Sequence, residues 1–244
     1  YHLAGYPHVG RSFKEPDAAW LGNLTATRSL YEAVIRCGGR PRILFVGSGL
    51  VYGDNVEGEN GCTENALLMP DTPYAASKAA ADLVSYQYTR YPGLEIVRAR
   101  PFNHIGPRQA PQFALSNFAR QLVAIQHGRQ EPILETGNLQ PSRDLTDVRD
   151  VVNAYIFVMQ RGRNGDAYNV GSGRSYAMRD VMERLVALSG VSVEPRQTDH
   201  LLRAADAPNV RANAEKLRRE TGWEPRISLD QSLTDLLAYW RELS

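Results

Sequence analysis

Tyr74 and Lys78 stand four residues apart at the start of an alanine-rich stretch, Tyr74-Ala75-Ala76-Ser77-Lys78. In a helix that spacing puts the phenol and the ammonium on one face, one turn apart. The first turn of a helix carries unpaired N–H groups and a positive potential. That potential and the lysine both favour a phenolate, so the expectation is a phenol whose pKa is lowered. A tyrosine that can pass a proton at neutral pH is what carbonyl reduction needs. On spacing alone, Tyr-x-x-x-Lys equally fits an exposed tyrosine beside a solvated lysine, and the pattern arises by chance in many chains.

The surrounding elements narrow that choice. Ile43–Val46 is a short apolar run stopped by Gly47, which predicts a buried strand ending at Ser48 in Gly47-Ser48-Gly49-Leu50-Val51-Tyr52-Gly53. A polar loop from Gly53 to Asp71 follows; Pro73 then opens a helix to about Tyr91, with Asp71 or Thr72 as its cap. Leu94–Ala99 reads as the next strand. Strand, helix, strand in that order predicts a parallel sheet with right-handed crossovers. The carboxyl ends of its strands and the amino ends of its helices share one edge, where Ser48 and Tyr74 can meet. Upstream, Pro16-Asp17 opens a helix carrying Trp20, Leu24, Leu30 and Val34 that closes at Gly38-Gly39. Downstream, helices are predicted over Phe113–His127, Asp147–Met159, Met178–Leu188 and Leu229–Leu243, with short extended pieces at Arg143–Leu145 and Ala167–Val170. This less regular half suggests a smaller α+β lobe beside the sheet.

Ser48 in its glycine loop, the Tyr74–Lys78 motif and Arg100-Pro101-Phe102-Asn103-His104-Ile105-Gly106-Pro107 come in the order and spacing of the extended short-chain dehydrogenase/reductases that act on nucleotide sugars. Within that group the chain most resembles the GDP-4-keto-6-deoxy-D-mannose reductases, which form GDP-D-rhamnose. The likeness runs through Glu131-Pro132-Ile133, Gly137-Asn138-Leu139, Arg143-Asp144, Thr146-Asp147-Val148-Arg149-Asp150, Tyr168-Asn169-Val170 and Thr221-Gly222-Trp223. It implies an α/β fold, a Rossmann-like doubly wound parallel sheet with a smaller α+β substrate-binding lobe. The cofactor-binding part would be residues 1–107 with about 143–170, and the lobe 108–142 with 171–244.

The resemblance also implies roles. Tyr74 would protonate the sugar oxygen as hydride arrives, Lys78 would hold the nicotinamide ribose and tune Tyr74, and Ser48 would hydrogen-bond the keto oxygen. Ala4, Gly5 and His104 would lie along NADP, with NAD as the alternative cofactor. Arg143 and Arg203 match diphosphate-binding arginines, Asn103 donates beside them, and Asp206 orients Arg203 or contacts the ribose. Asn23 matches an asparagine credited with supporting the active site. Each has a plainer reading: a partly buried helix asparagine, a structural histidine, an Arg143–Asp144 surface pair, a solvated Arg203. Sister dehydratases carry an acidic residue just after the serine or threonine; here Gly49 and Leu50 stand there, neither an acid nor a base. Reduction or epimerisation remains, with a non-catalytic nucleotide-sugar-binding module as the alternative from another class.

The bulk composition sets the outer limits. The sequence has 244 residues, 43% hydrophobic and 23% charged, with a formal net charge of +1. No global field argues for nucleic acid or an anionic membrane, so an anionic ligand must be met by local arginines. Two cysteines, Cys37 and Cys62, are too few for a disulfide scaffold or a zinc site. No apolar run approaches the ~20 residues that span a bilayer, and the first residues do not form a signal peptide; a cytoplasmic protein is expected. The resemblance further implies a homodimer paired through the Asp17–Cys37 and Pro73–Tyr91 helices. The family's G-x-x-G-x-x-G fingerprint, which brings a helix N-terminus to the cofactor pyrophosphate, is not in the sequence. The chain is accordingly expected to be a piece of a longer protein, the alternative being a natural fragment that has lost cofactor binding.

Overall fold

The computed structural model describes residues 1–54, 61–202 and 209–244. Its short first helix α1 (Val9–Ser12) leads into a longer helical run, α2 (Pro16–Trp20), a π-helical turn at Leu21–Thr25 and α3 (Ala26–Arg36). Then come β1 (Arg42–Val46), a 3₁₀ turn at Gly49–Tyr52, α4 (Pro73–Arg90), β2 (Glu95–Pro101) and β3 (Asn103–Ile105). The middle holds α5 (Ala114–Gln126), β4 (Ile133–Thr136), β5 (Ser142–Asp147), α6 (Val148–Arg161) and β6 (Ala167–Val170). The chain closes with β7 (Ser175–Ala177), α7 (Met178–Ser189), β8 (Glu194–Gln197), β9 (Asn209–Val210), α8 (Glu215–Thr221) and α9 (Leu229–Glu242).

Strands β1, β2 and β6 form a parallel sheet in that order, and His2 extends it beyond β1 by a parallel bridge to Phe45. Alternation along β1 sends side chains to two covered faces. Ile43 and Phe45 pack with Tyr31, Ala81, Tyr88 and Ile96 under α3 and α4. Leu44 packs on the other face with Val97, Ala99, Val151, Ala154 and Val158 under α6, joined by Leu217 and Trp223. Helices on both faces of a parallel sheet make this the expected doubly wound α/β arrangement.

A second core gathers α5, α7 and α9 around Leu122, Leu134, Leu185 and Leu236. Small strand pairings flank it: β5 lies between β3 and β7 and also pairs β9, while β4 pairs β8. Residues 103–105 thus leave the large sheet at β2 and immediately join the small one, which places them between the two cores. Among the described residues, no helix is long and apolar enough to cross a membrane.

Candidate active site

Two caps fix the ends of the elements that carry the site. β1 ends at Gly47, whose N–H donates to the Ala99 carbonyl at 2.8 Å. The next residue, Ser48, turns its hydroxyl back to accept from Leu50 N at 3.2 Å, starting the 3₁₀ turn. Thr72 caps α4, accepting from Ala75 N at 3.0 Å, with Pro73 in the first turn. Tyr74 therefore sits at the helix start, as expected from the sequence.

Ser48, Tyr74, Lys78, Gly5, Asn103 and His104 all line one cleft of about 700 Å³. Ala4 is exposed and lies outside its wall, although Leu3 and Gly5 on either side belong to it. Lys78 is 8% exposed and donates to the Val46 carbonyl at 3.1 Å. Burial brings its ammonium down to about 8. A β-carbon on Gly5 would stand 2.7 Å from Asn23 Oδ1 and 3.5 Å from Lys78 Nζ, so only glycine lets this backbone lie so close.

The phenol differs from the sequence expectation. Burial pushes the Tyr74 pKa up, and the Ser48 hydroxyl beside it pulls the other way without reversing the shift. The helix end and the lysine were expected to lower it; removal from water disfavours the phenolate and outweighs them. The cleft therefore favours the phenol form of Tyr74 over the phenolate.

Asn23 lies in the π turn and is 2% exposed. Its Oδ1 accepts from Tyr6 N at 2.9 Å, and its Nδ2 donates to Ser77 Oγ at 2.9 Å. Ser77 in turn donates to the Tyr74 carbonyl at 2.8 Å. His104 Nδ1 lies 3.1 Å from the Phe102 carbonyl, which can only accept, so the proton of the neutral ring belongs on Nδ1. More than a third of His104 is open to solvent, yet the protein around the ring shields it and holds its pKa below 6.5, the carbonyl acting in the opposite sense.

Arg143 lines an adjoining pocket of about 210 Å³ with Asn103, Gly137, Asn138 and Leu139. Asn103, His104, Ile105, Gln109 and Phe113 line both hollows, so β3 is their shared wall. Arg143 is 8% exposed and donates to the Ser142 carbonyl at 2.8 Å. Asp144 is fully buried and accepts from the backbones of Ser172, Gly173 and Ala212. The two are not a surface ion pair. Arg203 and Asp206 lie outside the described residues.

Two features had no sequence signal. Tyr155 of α6 is 8% exposed and lines the cleft; burial, and to a lesser degree Tyr74, push its pKa up. A tyrosine on an amphipathic helix reads as core. Asp82, one turn beyond Lys78, is fully buried against Arg98 and Arg100 of β2. Arg100 also donates to the Tyr52 hydroxyl at 2.8 Å, which donates to Asn169 Oδ1 at 2.7 Å. Neither strand arginine announces that its partner is a helix residue.

Comparison with known proteins agrees with this geometry. The family model described as GDP-mannose 4,6 dehydratase matches residues 1–236. A GDP-6-deoxy-D-mannose reductase of Pseudomonas aeruginosa is 36% identical over 239 residues, covering 98% of this chain and 79% of the relative. The structure of RMD from Pseudomonas aeruginosa complexed with NADPH superposes with a TM-score of 0.94 at 36% identity, covering 99% of this chain and 80% of that one. A UDP-glucose 4-epimerase from Thermotoga maritima, solved with UDP-glucose, gives a TM-score of 0.88 at 27% identity, covering 99% and 76%. With a cleft that joins a serine, a tyrosine and a lysine at the edge of a parallel sheet, and with these likenesses along nearly its whole length, the chain belongs to the GDP-mannose 4,6-dehydratase-like family of short-chain dehydrogenases/reductases.

Proposed function

We propose that the protein is an NADPH-dependent reductase of the 4-keto group of GDP-4-keto-6-deoxy-D-mannose, giving a GDP-6-deoxyhexose such as GDP-D-rhamnose. The observation that carries the reading is a grouping within the cleft: the Tyr74 phenol with the Ser48 hydroxyl beside it and Lys78 one turn on, and no acid or base on the Gly49-Leu50 turn. A β-carbon at Gly49 would come 2.7 Å from the Phe102 ring, so position 49 has no room for an acidic side chain, and Leu50 supplies none.

Bound NADPH supplies the hydride, and the cradle near Gly5, Lys78 and His104 suits its nicotinamide end. Lys78 offers a buried ammonium with protons beyond the one given to Val46, which fits a ribose hydroxyl. Ser48 donates to the keto oxygen and Tyr74 delivers its proton there, so that the developing alkoxide becomes the sugar's 4-hydroxyl. Arg143, with Arg203, neutralises the diphosphate and Asn103 donates to it, while Asp206 orients Arg203 or contacts the ribose. Because β3 walls both hollows, a sugar nucleotide seated along Arg143 extends its sugar toward Tyr74.

The reading divides the chain into residues 1–107 with about 143–170 and 108–142 with 171–244; the two cores follow this except that Leu217 and Trp223 pack on the large sheet and Ile105 and Leu145 pack in the lobe. A homodimer and a cytoplasmic location belong to the same reading; Trp20, Leu21, Leu83 and Tyr86 are exposed on the helices that would pair. Incubation with GDP-4-keto-6-deoxy-D-mannose and NADPH, with product identification by NMR, tests the reaction. One NADPH consumed per sugar reduced is expected. Sugar interconversion with no net NADPH consumption would mean an epimerase, and binding without turnover a binding module.

A further inference from the structure

Ser12 ends the short helix α1, is fully buried, and lies 62 residues before Tyr74 in the chain. Its hydroxyl accepts from the Tyr74 backbone N–H at 3.2 Å and donates to the Val9 carbonyl at 2.7 Å. The first N–H groups of any helix lack an intrahelical acceptor. Thr72 serves Ala75, and a serine from a distant segment serves Tyr74 itself. Val9 lines the cleft, as do Gly5, Tyr6 and Pro7. The same segment is held at its other end by Asn23, which accepts from Tyr6 N and reaches the Tyr74 carbonyl through Ser77. The backbone donor and the backbone acceptor of Tyr74 are thus both laced to residues 6–12, the donor directly by Ser12 and the acceptor through Ser77 and Asn23.

We propose that Ser12 is a positioning residue for Tyr74: by taking the tyrosine's N–H while tied to Val9, it sets the height of the phenol over the cleft wall. The hydroxyl does two jobs at once, so its orientation is determined and neither bond can rotate away independently. A residue with no acceptor at position 12 frees the first turn of α4 to drift relative to Gly5–Val9, and misplacement by a fraction of an ångström is enough to slow proton delivery. The inference rests on reading Tyr74 as the proton donor.

Two variants test it, Ser12→Ala and Ser12→Cys, the latter nearly isosteric but a poor acceptor. If the alanine variant fails to fold, the cysteine variant carries the measurement. Hydrogen exchange of the Tyr74 amide needs no activity, and should quicken about tenfold in either variant while amides in the middle of α4 keep their rates. With the keto sugar and NADPH, kcat should fall about tenfold with KM changed less than about twofold. An unchanged Tyr74 amide would overturn the contact. A quickened amide with kcat intact would overturn the positioning role, as would losses that track only a lowered melting temperature. If the unaltered protein reduces no keto sugar, the reductase reading fails, and the Ser12 role built on it falls with that reading even if the amide result upholds the contact.

Discussion

Arg100 grips Asp82 with two nitrogens of its guanidinium, Nε 3.0 Å from one carboxylate oxygen and Nη2 2.9 Å from the other. Arg98 meets the same carboxylate, so one fully buried charge on α4 is shared by two arginines on β2. Removing the acid leaves two guanidiniums buried with their partner gone. Asp82→Ala should therefore destabilise the fold by about 3–5 kcal/mol, measured by urea denaturation. Because the clamp joins the helix of Tyr74 to the strand leading into Asn103, a loss below ~1 kcal/mol would show that the network contributes little.

Lys78 has the opposite balance. Burial lowers its pKa from 10.5 to about 8, so the unfolded chain holds the proton more tightly than the folded one. The penalty is complete below pH 8, shrinks as pH rises, and is gone above 10.5; stability contributed at this site rises through that window. Lys78→Met should stabilise the protein at pH 7 by about 2.5 kcal/mol, the ~1.4 kcal/mol per pKa unit less roughly 1 for the lost bond to Val46. Melting curves at pH 7 and at pH 11 should show the gain in the first and not in the second.

Loss of the Lys78 proton should also shape activity. With the Tyr74 phenol pushed above 10 and Lys78 at about 8, the alkaline limb of kcat/KM should fall near pH 8 and follow the lysine. A limb at pH 10 or beyond in a pH–rate profile would assign it to the phenol instead.

Tyr74→Phe removes the proton donor and little else. Turnover of the keto sugar should drop by about 10²–10⁴, while sugar-nucleotide affinity by calorimetry stays within about twofold. Retained turnover would take Tyr74 out of the chemistry.

Gly49 is packed too closely to accept a side chain. Phe102 is 4% exposed and stacks on Tyr52, so it cannot swing away from a β-carbon 2.7 Å from its ring. Gly49→Ala should cost about 1–3 kcal/mol of stability by overpacking, read as a shift in denaturation midpoint.

Much of this was legible in the sequence because it is local. Thr72, Pro73 and the alanine-rich run mark α4 to within a residue, Asp147 caps α6 as its position suggests, and the apolar run before Gly47 marks β1. Ser48, Tyr74 and Lys78 meet because parallel-sheet geometry brings strand ends and helix starts to one edge. The strands β3, β4, β7, β8 and β9 escaped: pieces of two to four residues carry no periodicity, and their pairing depends on segments far along the chain. The shift of the Tyr74 phenol was misjudged for a related reason, since burial belongs to the assembled cleft and not to a motif. Ala4 sits beside the cleft wall although its neighbour Gly5 is in it, a difference of one side-chain direction that similarity does not resolve.

The π turn at Leu21–Thr25 accommodates one residue more than regular winding would. Deleting one there would restore a plain helix but swing all that precedes it by about 100° against all that follows. The following half is pinned, Thr27 to His2 and Tyr31 to Ser85, so the preceding half would have to move, taking Asn23 and its grip on Tyr6 out of register. The number of residues at the middle of this helix is therefore set by what its two halves hold.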